Sequence, residues 1–286
     1  MCRPYRCPGR ARRMLIATIV VAVCALVVGI GLNQFLRGRL TSEDEATVSV
    51  KDLVSPLQTL TVLVLAFSLV TAANSQNKAD EAARSEADAI DHLFEAADYT
   101  SKEHRQHLQG AAVCYARAVR HQDWPAMARQ EVSDAPAVWS TSFREELREI
   151  GPGDALFATL LSADDDRSKA RERRLAEAEQ AIPSPVYWFV LVLLALMVIA
   201  VAFTLPRRKN GAEITTFVVI TVLMASTLIL IRDLEHPFDG MVKIGPTAMA
   251  EVEKQMTHEY EEDFGSADEL PCDTHGDRVR RHDEEH

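Results

Sequence analysis

LVSPLQTLTVLVLAFSLVTAANSQNKADEAARSEADAIDHLFEAA, Leu53 to Ala97, is the stretch that decides the fold. Its first part, Leu53 to Ala73, holds no Asp, Glu, Lys, Arg or His and matches the ~20 residues a helix needs to cross ~30 Å of hydrocarbon. Its second part is rich in Ala, Glu, Asp and Arg, good helix formers that want water on one side. Between Leu57 and Gln109 there is no Gly and no Pro, so nothing stops the helix at the membrane surface. The spacing predicts one helix that leaves the bilayer and runs to about Ala97, with Ile90, Leu93, Phe94 and Ala97 on its buried side.

Outward from that stretch, three more uncharged runs appear: Met14 to Leu32, Val186 to Leu205 and Ile214 to Ile231. The expected fold is therefore an all-α membrane protein whose solvent along four segments is lipid. It has four transmembrane helices, at 14–32, 53–73, 184–205 and 214–232, and a helical bundle at 74–183 between spans two and three. A basic leader, 1–13, precedes the first span; translation from Met14 would remove it. A cleaved signal peptide fits poorly, because the first run is longer than an h-region and no small-x-small site follows. A turn and amphipathic helix are expected at 233–264 and a disordered acidic tail at 265–286.

The polar middle reads as helices with clear punctuation. Ser55-Pro56 and Ser184-Pro185 have the form of a cap and a first helical proline for spans two and three. Thr100-Ser101-Lys102-Glu103 has capping-box spacing, ahead of a stripe of Leu108, Ala112, Tyr115 and Val119. Asp123-Trp124-Pro125 breaks that helix. Ser133-Asp134 caps the next, with Val138, Trp139, Phe143, Leu147 and Ile150, and Gly151-Pro152-Gly153 ends it. A further helix from about Asp154 carries Leu156, Phe157, Leu160 and Leu161 and turns highly charged over 164–174, which predicts a solvated end. After the last span, Thr247 caps a helix presenting Met249, Val252, Met256 and Tyr260.

The leader's Arg3, Arg6, Arg10, Arg12 and Arg13, against the mixed first loop, place the N-terminus, the bundle and the C-terminus in the cytoplasm. Arg207, Arg208 and Lys209 in the last loop oppose that assignment. The net charge of −11 speaks against a nucleic-acid protein. The five cysteines show no disulfide framework.

Chemical signatures are sparse. There is no Gly-rich phosphate loop, no His-Glu-x-x-His and no triad ordering, so an enzyme is not expected, nor a cofactor. Cys272-x2-His275 with His282 and His286 reads as solvated tail rather than metal site. A metal-dependent enzyme would need the fold to bring His92, His104, His107 or His236 together with carboxylates. The second span is the most polar. Thr61, Ser68, Thr71 and Asn74 would hydrate an ion on a water-filled path; alternatively, such hydroxyls bond their own i−4 carbonyls or pack helices.

The Ser-Pro-Leu opening of span two, the Ala/Glu/Arg helix after it, Asp123-Trp124-Pro125, the charged helix before span three, and the run Asp233-Leu-Glu-His-Pro-Phe-Asp-Gly240 with Gly245-Pro246 together resemble the bestrophin-like domain family of bacterial membrane proteins. The likeness covers about Val54 to Tyr260, and its sharpest residues are Asp233, Leu234, Pro237, Phe238 and Gly240. Bestrophins are oligomeric anion channels with four spans per subunit and a pore lined by the second. The resemblance therefore implies a homo-oligomer in the cell (inner) membrane that passes small anions, with Ser68 and Thr71 lining its path. The acidic calcium cluster and aromatic neck rings of animal bestrophins have no evident counterpart here. The rival reading is a non-conducting scaffold or sensor whose cytoplasmic helices bind a partner.

Overall fold

The computed structural model describes residues 9–35, 50–179, 182–204, 211–266 and 269–279. Most of the leader, the first loop, Arg207 to Lys209 and the last residues of the tail lie outside these. The described residues form helices α1 (Gly9–Phe35), α2 (Val50–Ala97), α3 (Lys102–Ala118), α4 (Trp124–Ala128), α5 (Ala135–Ile150), α6 (Phe157–Glu177), α7 (Ser184–Thr204), α8 (Gly211–Leu234) and α9 (Thr247–Phe264). A π-helical turn, Val119–Asp123, joins α3 to α4. The chain divides into two compact units, residues 9–76 with 182–235 and residues 77–179 with 236–279; α2 contributes one half to each.

The apolar unit contains α1, the first half of α2, α7 and α8. Among the described residues three helices are long and apolar enough to cross a membrane: Val54–Ala97, Ser184–Ala202 and Gly211–Leu234. In α1 the described apolar stretch, Thr18–Gly31, is shorter. Close approach of backbones, rather than exclusion of water, is what holds helices together in lipid. Accordingly, α1 meets α7 where Gly29 lies so near that an added Cβ would stand 2.6 Å from the Ala202 Cβ. Thr18 Oγ1 shares a 2.6 Å hydrogen bond with the Tyr187 hydroxyl. α7 starts at Ser184, so Pro185 falls in its first turn, one residue later than expected, whereas α2 starts at Val50, so Pro56 sits inside it.

The polar unit is built around α3. Leu108 through Ala116 are all buried, and the amide of the run, Gln109, donates to the Phe94 carbonyl and to Asp98 rather than to water. Its cap is Ser101, whose hydroxyl accepts from the His104 N–H, one residue later than the capping-box spacing predicts. Ile90, Leu93, Phe94 and Ala97 of α2, Trp139, Phe143 and Leu147 of α5, and Met249, Met256 and Tyr260 of α9 complete the core. Val138, expected on the buried stripe, is exposed. Gly151 stops α5 with φ 73°, a left-handed conformation that favours glycine.

Three expectations need correction. The charged end of α6 is solvated on one face only: Asp165, Asp166, Lys169, Glu172 and Arg173 are exposed, but Asp164, Arg167 and Arg174 are buried, because each finds a partner inside. The tail is not disordered over 269–279. That segment lies on α3 and α5, with the Trp139 indole donating to the Gly276 carbonyl at 2.9 Å and Gln122 Nε2 to the His275 carbonyl at 3.0 Å. Finally, Cys114 and Cys272 form a disulfide across a sequence separation of 158. No spacing rule could pair them, since only the fold brings α3 and the tail together. The bond also removes Cys272 as a metal ligand.

Candidate functional site

Two features carry the residues singled out by the sequence. The first is the apolar half of α2. At 100° per residue, Leu60, Leu63, Phe67, Val70, Thr71 and Asn74 share one stripe. Leu60, Leu63, Phe67, Val70 and Asn74 are exposed and Thr71 is half-buried; Phe67 reaches 74% and Leu63 62%. The opposite stripe, Thr61, Leu65, Ser68 and Ala72, is buried in the apolar unit's own packing, with Thr61 at 0% and Ser68 at 6%. Thr61 Oγ1 donates to the Leu57 carbonyl at 2.7 Å and Thr71 Oγ1 to the Phe67 carbonyl at 2.9 Å. Both hydroxyls therefore satisfy themselves on their own helix. Of the four candidates, Thr71 and Asn74 share the open stripe and Thr61 and Ser68 do not.

The second is the run after α8. Asp233 and Leu234 end the helix in the apolar unit, where Arg232 Nη1 donates to Glu235 Oε2 at 2.7 Å. In the polar unit, His236 to Ile244 fold into a closed loop. The His236 carbonyl accepts from the Asp239 and Gly240 N–H groups at 3.1 and 2.9 Å, and the Pro237 carbonyl from the Ile244 N–H at 2.7 Å. Phe238 stands edge-on to Trp124, centroids 5.5 Å apart at 85°, while the Trp124 indole donates to the Ile244 carbonyl at 3.2 Å. Two motifs far apart in sequence, Asp123-Trp124-Pro125 and Pro237-Phe238, thus meet in one aromatic contact. Their arrangement holds a turn; it presents no reactive group.

Behind Trp124 lies a dry network of charges that the sequence reading missed. Arg174 is fully buried between Glu86 of α2 and Asp123, donating through Nε to Glu86 and through Nη2 to Asp123 Oδ2 at 2.6 Å. The Tyr115 hydroxyl donates to Glu86 Oε1 at 2.6 Å. Arg167 pairs with Asp164 and covers the rings of Tyr115 and Phe143 at 4.8 and 5.1 Å. Burial opposes the charge on Arg174, but Glu86 and then Asp123 outweigh it and hold the guanidinium above its ordinary range. Burial, then the Glu86 carboxylate, push the Tyr115 phenol well up. Sealed from solvent and paired with one another, these groups brace α2, α3 and α6. The signal was present in the sequence: Leu160, Asp164, Arg167 and Arg174 fall on one helical stripe.

The fold is similar to solved bacterial membrane proteins. The crystal structure of a point mutant of a bestrophin homologue from Klebsiella pneumoniae matches with a TM-score of 0.65 at 12% identity, covering 86% of this chain and 99% of that one. A second point mutant of that homologue gives a TM-score of 0.65 at 15% identity, over 88% of this chain and 98% of that chain. At such identities the likeness shows the fold alone. No curated protein sequence matches the chain. The family model for the bestrophin-like domain matches residues 18–249, from within α1 to the start of α9, leaving most of α9 and the disulfide-bonded segment beyond it. The chain belongs to the bestrophin-like domain family.

Proposed function

We propose that this chain is the subunit of a homo-oligomeric ion channel of the cell (inner) membrane, passing small anions along α2. The single observation that carries the reading is the open stripe of α2. Lipid accommodates its exposed Leu60, Leu63 and Phe67, but the same stripe continues into Thr71 and the exposed amide of Asn74, polar groups that lipid does not satisfy. Copies arranged about an axis would turn that stripe into an apolar constriction followed by a hydroxyl and amide ring. Such a path gates by dewetting and hydrates an anion without binding it tightly. Membership of the bestrophin-like family supports the same reading. Thr61 and Ser68, turned into the subunit's own packing, serve α2's seat in the bundle.

In this reading four helices span the membrane, α1 included, and the polar unit and both termini face the cytoplasm, as the basic leader argues. Disulfides are rare in that reducing compartment. The Cys114–Cys272 bond persists there through burial, both residues being at most 5% exposed, which denies thiolates a line of attack. Met241→Cys, at an exposed position of the polar unit, reads the orientation: a membrane-impermeant maleimide should label it only after cells are opened, and labelling in intact cells would place the unit outside.

Reconstitution into liposomes tests conduction. The parent protein should pass chloride, Phe67→Ala should raise the flux by widening the constriction, and Thr61→Val should leave it unchanged. A folded oligomer without flux would defeat the channel and leave the scaffold reading standing.

A further inference from the structure

α3 and α5 bring together two pairs of side chains that no motif joins. Residues three apart on a helix share a face. His104 and His107 are such a pair on α3, and Glu146 and Glu149 on α5. The pairs meet: His104 Nδ1 lies 2.6 Å from Glu146 Oε1, and His107 Nδ1 lies 3.1 Å from Glu146 Oε2. The ligand atoms of His104, Glu146 and Glu149 all lie within 4.8 Å of one another. We propose that these residues form a site for one divalent transition-metal cation of the Zn2+ class, clamping α3 to α5.

The first support is the donor set. One imidazole nitrogen with two carboxylates, from His104, Glu146 and Glu149, is a borderline N/O set that Zn2+ accepts with its fourth tetrahedral position open, whereas Ca2+ and Mg2+ ask for oxygen throughout. The second is the place of Glu146. It is 8% exposed, and both its carboxylate oxygens are turned to imidazole nitrogens where α3 and α5 meet. The third is preorganisation with access. The His104 imidazole is already set against the buried Glu146, while His107 and Glu149 are exposed and leave an entry path. Metal at about 2.0–2.1 Å from each ligand atom would take the place of the direct imidazole–carboxylate contact of His104 with Glu146.

The test uses full-length protein in detergent, stripped with chelator and titrated with ZnCl2 by calorimetry, with Co2+ as a spectroscopic stand-in. The parent should take up one Zn2+ per chain at this site, give visible Co2+ bands of four-coordinate type, and unfold at a higher temperature with metal. Glu149→Gln, an exposed change that leaves packing intact, should weaken binding about tenfold or more, and His104→Ala with Glu149→Gln should abolish it and the Co2+ bands. His282→Ala with His286→Ala controls for the tail and should change neither. Zn2+ uptake absent from the parent, or equal in the doubly substituted variant, would overturn the site.

Discussion

The two halves of α2 are inside-out versions of each other. From Val54 to Gln76 the helix buries Thr61 and Ser68 and exposes Leu60, Leu63, Phe67 and Val70. From Asn77 to Ala97 it buries Ala79, Ala83, Ala87, Ile90 and Phe94 and exposes Lys78, Glu81, Arg84, Asp88 and Glu95. The backbone is the same helix throughout. What changes is the solvent, because in lipid the polar group is the one that must be sheltered. The way polar groups are satisfied changes too. The membrane half uses local hydroxyl-to-carbonyl bonds such as Thr61 to Leu57, whereas the polar half commits Glu86 to a buried ion pair with Arg174 contributed by α6.

That contrast can be broken at Arg174. Its replacement by Met leaves Glu86 a buried charge without its cation and Asp123 with Arg171 alone, and should cost the polar unit about 3–5 kcal/mol, read as a collapsed urea midpoint. Cys272→Ser, which frees the segment lying on α3, should cost about 2–4 kcal/mol and expose residues 269–279 to protease while the membrane helices stay intact. Leu63→Glu on the membrane half should oppose insertion by about 2–3 kcal/mol, read as loss from carbonate-washed membranes; Glu81→Leu on the polar half should change stability by no more than about 0.5 kcal/mol. Equal effects from the two exchanges would mean that one solvent bathes both halves.

The smallest effect sharpens the polar half. Burial, then Glu95, Glu259 and Asp88, raise the Asp91 carboxyl above its ordinary range. A raised carboxyl favours its protonated form in the fold. Its contribution is therefore fully present below the unfolded value and is lost as pH rises through the folded one. Asp91→Asn should be slightly more stable than the parent at pH 7, with the difference fading in acid, as compared by thermal unfolding at both values.

The sequence carried the membrane character, because a run such as Val186 to Leu205 has one cheap environment whatever its neighbours are. It also carried the length of α2, since no Gly or Pro interrupts it past Pro56, and the presence of a turn soon after the last span. It misjudged residues whose environment is set by something distant. Arg174 reads as solvated until Glu86 and Asp123 arrive from α2 and from the turn before α4. Ser68 reads as lining until its side is seen to face the bundle, and Cys272 as a loose thiol until Cys114 is beside it.

Local chemistry thus settled which segments are helical and which of them prefer lipid, for both follow from backbone propensity and transfer free energy summed over neighbours in the chain. Which polar groups are paired, which face of α2 is left bare, and that His104 and His107 meet Glu146, only the tertiary structure decided. Those facts depend on contacts between residues tens to more than a hundred positions apart, and a contact of that kind leaves no mark on either residue's own surroundings in the sequence.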